Sequence, residues 1–100
     1  MRPVVRHPEA ELELEVAALW YEEHQPGLGE DFIEEYRATL RRIQDQPERW
    51  RRVRGENRKL NFHGFPYAVV YEIKADMLYL KAVMHLRRRP FYWSHRLPSA

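Results

Sequence analysis

Along the second half of the chain, apolar and polar positions alternate with the period of two that a pleated strand imposes. Tyr67, Val69, Tyr71 and Ile73 interleave with Ala68, Val70, Glu72 and Lys74; Leu78, Leu80, Ala82 and Met84 interleave with Tyr79, Lys81, Val83 and His85. Both runs are rich in β-branched and aromatic residues, which fit a half-buried pleated surface. Only Lys74-Ala75-Asp76 separates them, so they are expected to pair antiparallel as a hairpin. Pro66 suits a strand start, where its missing N–H is tolerated. Upstream, Arg58, Leu60 and Phe62 alternate with Lys59, Asn61 and His63, and Gly64 turns the chain. The pattern predicts a three-stranded meander over 58–63, 67–74 and 77–86, with residues 1–6 as a candidate edge strand.

The first half has a different period. Pro8 stands at a plausible first helical position and acids follow it, as the positive end of a helix dipole favours. Glu11 to Val16 alternates like a strand, but its residues are strong helix formers and the alternation stops there, so we read a helix. At 100° per residue Ala10, Leu14, Ala17 and Tyr21 form one stripe, and Leu12, Val16 and Leu19 form another. Two stripes imply two packing surfaces. Pro26-Gly27-Leu28-Gly29 reads as a turn. A second helix follows, with Phe32, Tyr36, Leu40 and Ile43 on one face, Ile33 beside them, and Glu30, Glu34, Arg37 and Arg41 facing away. Pro47 ends it. This αα-hairpin needs a sheet to cover its apolar face, which gives an α+β fold: two N-terminal helices on a small antiparallel sheet. Glu48 to Glu56 reads as an arginine-rich loop with a candidate short strand at Trp50 to Val53, and the tail after Trp93 as polar and frayed.

A chain of 100 residues suggests one domain over 1–100 with a single modest core. The composition, 44% apolar and 32% charged, places it among globular chains and away from disordered or membrane ones. Neither a span of about 20 apolar residues nor a leader pattern occurs, so the expectation is a cytoplasmic protein that does not enter the membrane. No cysteine is present, which removes disulfides and thiol chemistry. The charge is divided unevenly. Up to Tyr36 two arginines stand against ten carboxylates, a balance of −8; beyond it fifteen cations stand against five carboxylates, a balance of +10. A polyanionic or acidic partner would meet the second half, unless the two halves merely neutralise each other across the surface.

His7, His24, His63, His85 and His95 show no metal-site spacing, so no metal is expected. Arg87-Arg88-Arg89 beside Pro90, Tyr92 and Trp93 combines charge with stacking surface. The same arginines could be a solvated strand end, and Tyr92 and Trp93 could fold back over the sheet. His85, flanked by apolar residues, reads as structural before it reads as catalytic, and Trp50 reads equally well as a cap on the helix pair or as a ligand contact.

Taken together, Trp20-Tyr21-Glu22-Glu23, Pro26-Gly27-Leu28-Gly29, Phe65-Pro66-Tyr67 and His85-x-x-Arg88-x-Pro90-x-Tyr92-Trp93, in this order, resemble the RelE/ParE superfamily, the toxins of type II toxin–antitoxin modules. The resemblance runs from about Pro8 to Arg96. It implies a bacterial or archaeal toxin with two helices on a small antiparallel sheet, neutralised by a cognate antitoxin. It also implies one of two targets. ParE-like members poison DNA gyrase, whereas RelE-like members cleave messenger RNA on the ribosome.

For the nuclease branch the resemblance offers Arg58 and Arg88 as phosphate ligands and Tyr92 as an acting tyrosine, with Lys59, Lys81 and His85 as further proton-handling groups. Guanidinium clamps charge well but shuttles protons poorly, and this chain carries arginine where a nuclease wants bases. The Phe-Pro-Tyr motif and the ending also resemble ParE-like, plasmid-stabilisation sequences. We therefore favour a gyrase poison without a cofactor, with the RelE-like endoribonuclease, or a detoxified relative that only binds its antitoxin, as alternatives. Residues offered to target or antitoxin are Arg58, Arg87, Arg88, Arg89, Tyr92, Trp93, Leu12, Val16 and Leu19, although core is the favoured reading of the last three.

Overall fold

Pro8 opens the first helix, α1 (Pro8–His24), and the His7 imidazole accepts the Glu9 amide hydrogen at 3.1 Å. This computed structural model describes residues 1–97. Before the helix runs β1 (Val4–Arg6); after it come α2 (Leu28–Asp45), β2 (Arg52–Arg54), β3 (Asn57–Asn61), β4 (Tyr67–Lys74) and β5 (Met77–His85). The strands form one sheet in the order β1-β5-β4-β3-β2. The expected α+β architecture is present, but the sheet is five-stranded and mixed rather than a three-stranded meander. β1 joins it parallel to β5, and β2 extends the other edge antiparallel to β3.

The turn between the helices is shorter than its composition suggests. Gly27 takes the left-handed conformation (φ 90°) and α2 begins at Leu28, so Gly29 lies inside the helix and not in the turn. There it lets the helices meet: a Cβ on Gly29 would lie 2.6 Å from the Ala18 carbonyl oxygen. The Glu22 carboxylate supplies the start of α2, accepting the amide hydrogens of Gly27 and Gly29.

Phe32, Tyr36 and Ile43 of α2 and Ala17 of α1 pack on Leu60, Phe62, Val69, Tyr71, Leu78, Leu80 and Val83. A smaller cluster on the opposite face joins Ala68, Val70, Ala82 and Met84 to Trp93. Uniform alternation in β5 would put Leu80 and Ala82 on one face. They lie on opposite faces because Tyr71 pairs with Leu80 and Val70 with Ala82, leaving Lys81 as an extra, bulged residue. A bulge resets the phase of every side chain beyond it.

The second stripe of α1 is not core. Leu12, Val16 and Leu19 are 58–60% exposed, whereas Ala10 and Ala17 are buried. Nor is the tail frayed over its described part, because Arg96 is buried; residues 98–100 lie outside the described residues. No helix among the described residues is long and apolar enough to cross a membrane.

Candidate functional site

The exposed stripe of α1 forms one wall of an apolar groove of roughly 660 Å³. Leu12, Val16 and Trp20 of α1 line it together with Pro66, Tyr67, Val83, His85 and Arg88 from the β4–β5 side. The wall exists because α1 carries apolar side chains on two sides and only one of them meets the sheet. Leu19 lies outside this groove, in a more open depression with Ile33 of α2.

The groove's polar end depends on an interruption of the sheet edge. β1 pairs with β5 only as far as Leu80, whose carbonyl takes the His7 amide hydrogen. Beyond that point β5 needs other partners for its edge groups. The Glu13 carboxylate accepts the Val83 amide hydrogen at 3.0 Å, and the Arg96 guanidinium donates to the Lys81 carbonyl at 3.0 Å. Arg96 also donates to both oxygens of Glu13, at 2.9 and 3.1 Å, and the Tyr92 hydroxyl donates to Glu13 at 2.6 Å. One carboxylate thus joins α1, β5 and the C-terminal segment. Neither Glu13 nor Arg96 stood out in the sequence: Glu13 is one of several evenly spaced acids, and Arg96 falls in a stretch that reads as solvated.

The candidate residues are not gathered in one place. Arg58 faces the helix side of the sheet, where it donates to the Glu48 and Trp50 carbonyls at 2.9 and 2.7 Å and pins the loop before β2. Trp50 closes the same corner by donating to the Arg42 carbonyl at 3.3 Å. Lys59 lies on the opposite face, in a second cleft with Arg88. Lys81 is buried and paired with Glu72 at 3.3 Å. Burial works against the Glu72 anion, but its contacts with Lys74 and Lys81 prevail and hold its pKa below the usual value. His85 meets the Tyr67 ring edge-on at 5.1 Å, and its Nδ1 accepts the Arg87 amide hydrogen. Arg87 and Arg89 are exposed. Arg88 lies 3.9 Å from the Tyr92 ring centroid. Burial first, and then the Glu13 contact, push the Tyr92 hydroxyl well above the ordinary phenol range. Trp93 is 2% exposed, so it covers the sheet and presents no ring to solvent.

The family profile for the ParE toxin of the type II toxin–antitoxin system parDE matches residues 4–90. The chain belongs to the ParE toxin family. A ParE-family chain in this fold also resembles a solved structure, described as the chromosomal ParDE TA system from P. aeruginosa, with a TM-score of 0.74 and 11% identity. The match covers 85% of this chain and 96% of the other, and at that identity it speaks for the fold. No curated protein matches the sequence. The profile takes in α1, the groove and Arg88, while Tyr92, Trp93 and Arg96 of this ParE toxin lie beyond its end.

Among the described residues no group of three or more His, Cys, Asp or Glu side chains is placed to hold a metal ion.

Proposed function

We propose that this ParE-family toxin of a type II toxin–antitoxin system acts by poisoning DNA gyrase in the cytoplasm, and that an antitoxin restrains it by laying an apolar helix in the α1 groove. The observation that carries the antitoxin part is the groove itself. Leu12, Val16 and Trp20 are each more than half exposed beside a concave apolar surface. Such patches on a small protein mark places where another chain sits, and a helix in a groove anchors through side chains spaced like these.

Gyrase is favoured as the target by the ParE family match and by how the nuclease candidates are engaged. The Tyr92 hydroxyl gives its proton to a Glu13 hydrogen bond, Lys81 is held by Glu72, and Arg58 is spent on backbone carbonyls. A general base or acid must reach the reacting group, and these three point to separate places.

The test is a gyrase supercoiling assay with purified toxin, run beside primer-extension mapping of transcripts in expressing cells. Inhibited supercoiling with uncut transcripts is expected. Codon-linked cuts with unaffected gyrase would reassign the chain to ribosome-dependent RNA cleavage. Leu12→Asp with Val16→Asp is expected to weaken antitoxin capture by about a hundredfold, since two anchor positions are charged.

A further inference from the structure

On the sheet face away from the helices lies a second cleft, of roughly 360 Å³, whose lining includes no carboxylate. Arg51 and Arg52, Lys59 of β3 and Arg88 all line it, above a floor that includes Met84 and the buried Trp93. Every charged side chain in the lining is a cation, and no hydroxyl or side-chain amide stands among them. Arg52 reaches Glu56 at 3.6 Å, but both side chains of that pair are more than half exposed, so water and salt weaken the pairing. Gathering like charges opposes folding, and apart from the exposed Arg52–Glu56 pair and the stacking of Arg88 on the Tyr92 ring at 3.9 Å, no contact among the described residues uses the charge of these four.

A second observation lies at the rim. Phe91 has φ 61°, a backbone region unusual for an aromatic residue, yet the residue is 40% exposed and the Arg54 guanidinium lies 4.6 Å from its ring centroid. Strained backbone of this kind concentrates where a contact is made.

We propose that this cleft binds the phosphate backbone of DNA, with Phe91 as a stacking surface at its edge. Four cations on an otherwise apolar surface match phosphate charge, and contacts to phosphate position a protein on the duplex without carrying sequence information, so binding with little dependence on sequence is expected. An acidic peptide fits less well, because its amide N–H groups would find no side-chain oxygen in the lining to accept them. The choice of DNA over RNA rests on the gyrase reading; binding of nucleic acid by the free protein does not.

The experiment is fluorescence anisotropy of a labelled DNA duplex titrated with the full chain at rising salt. With four cations engaged, log K should fall against log salt with a slope of about −3.6. Arg51→Ala with Arg52→Ala should weaken binding by about tenfold or more and reduce the slope by about 2, at an unchanged thermal midpoint. Arg37→Ala, on the exposed face of α2, should change affinity by less than about twofold. Absence of binding, or binding that the double substitution leaves intact, overturns the proposal. So does displacement by polyglutamate at equal charge concentration, or an RNA duplex bound about tenfold more tightly than DNA. The supercoiling assay separates the two readings. Gyrase inhibition without DNA binding by the free chain removes the DNA cleft and leaves the gyrase target. DNA binding without any effect on gyrase does the reverse.

Discussion

At Gly29 a single missing methyl sets the distance between the helices. Alanine is better than glycine inside a helix by about 1 kcal/mol, but here its Cβ would meet the Ala18 carbonyl at 2.6 Å and the Glu22 Cβ at 2.9 Å. A backbone oxygen cannot swing aside, so the helices must part. Gly29→Ala is expected to destabilise by about 1–2 kcal/mol net, read from the urea midpoint. Glu13 carries more. Its side chain is 16% exposed and that of its partner Arg96 is 5% exposed. Glu13→Ala leaves that guanidinium with only the half-exposed Glu9 carboxylate, at 3.4 Å, as an acidic partner, and it frees the Val83 amide. The expected loss is about 3 kcal/mol. Removing both charges, as Glu13→Leu with Arg96→Met, should cost less than the sum of the single changes; strictly additive losses would show that the pair is not coupled.

Among the elements, β5 shows what periodicity reveals and what it hides. The hairpin of β4 and β5, the third strand and α2 were legible because each has an apolar repeat that only one element satisfies; α1 was legible despite the strand-like alternation of Glu11 to Val16, because its residues are strong helix formers. The bulge was not, since Lys81 fits a polar outward position in the string and only the pairing shows the phase shift. The parallel edge strand β1 and the three-residue β2 were too short to carry a period. The second stripe of α1 was legible as a stripe, but no rule in the sequence says whether a stripe meets a core or water. The charged residues of the site were harder still: Glu13 and Arg96 are defined by the backbone groups they satisfy, which are invisible before the sheet exists. The bulge also creates a pH-sensitive tie. Burial opposes the Glu72 anion, but Lys74 and Lys81 hold its pKa below the ordinary 4.5 in the folded protein. Its contribution is complete above the unfolded value and disappears as pH falls through the lower folded one. Stability should therefore decline on acidification below about pH 4.5, and Glu72→Gln should flatten that decline while lowering stability at neutral pH.

For the whole molecule, the tyrosines set the alkaline limit. Tyr21, Tyr36, Tyr67, Tyr71, Tyr79 and Tyr92 are all raised above 10.0, in each case chiefly by burial, and Tyr71 reaches about 12. Protons held more tightly by the folded chain mean stability that is intact below pH 10 and lost as pH climbs through the folded values. Tyrosinate absorbance should rise together with unfolding, and a rise well before unfolding would contradict the burial. The order of strands has a further consequence, felt during synthesis. Among the strands of this sheet β1 is made first and β5 last, and the two pair with each other; Glu13 of α1 closes on β5 as well. A nascent chain that stops before Met77 has neither partner. The groove, lined by α1 and the β4–β5 hairpin, therefore does not exist until β5 has been made, and α1 waits with its apolar stripe uncovered while residues 25–76 are added behind it.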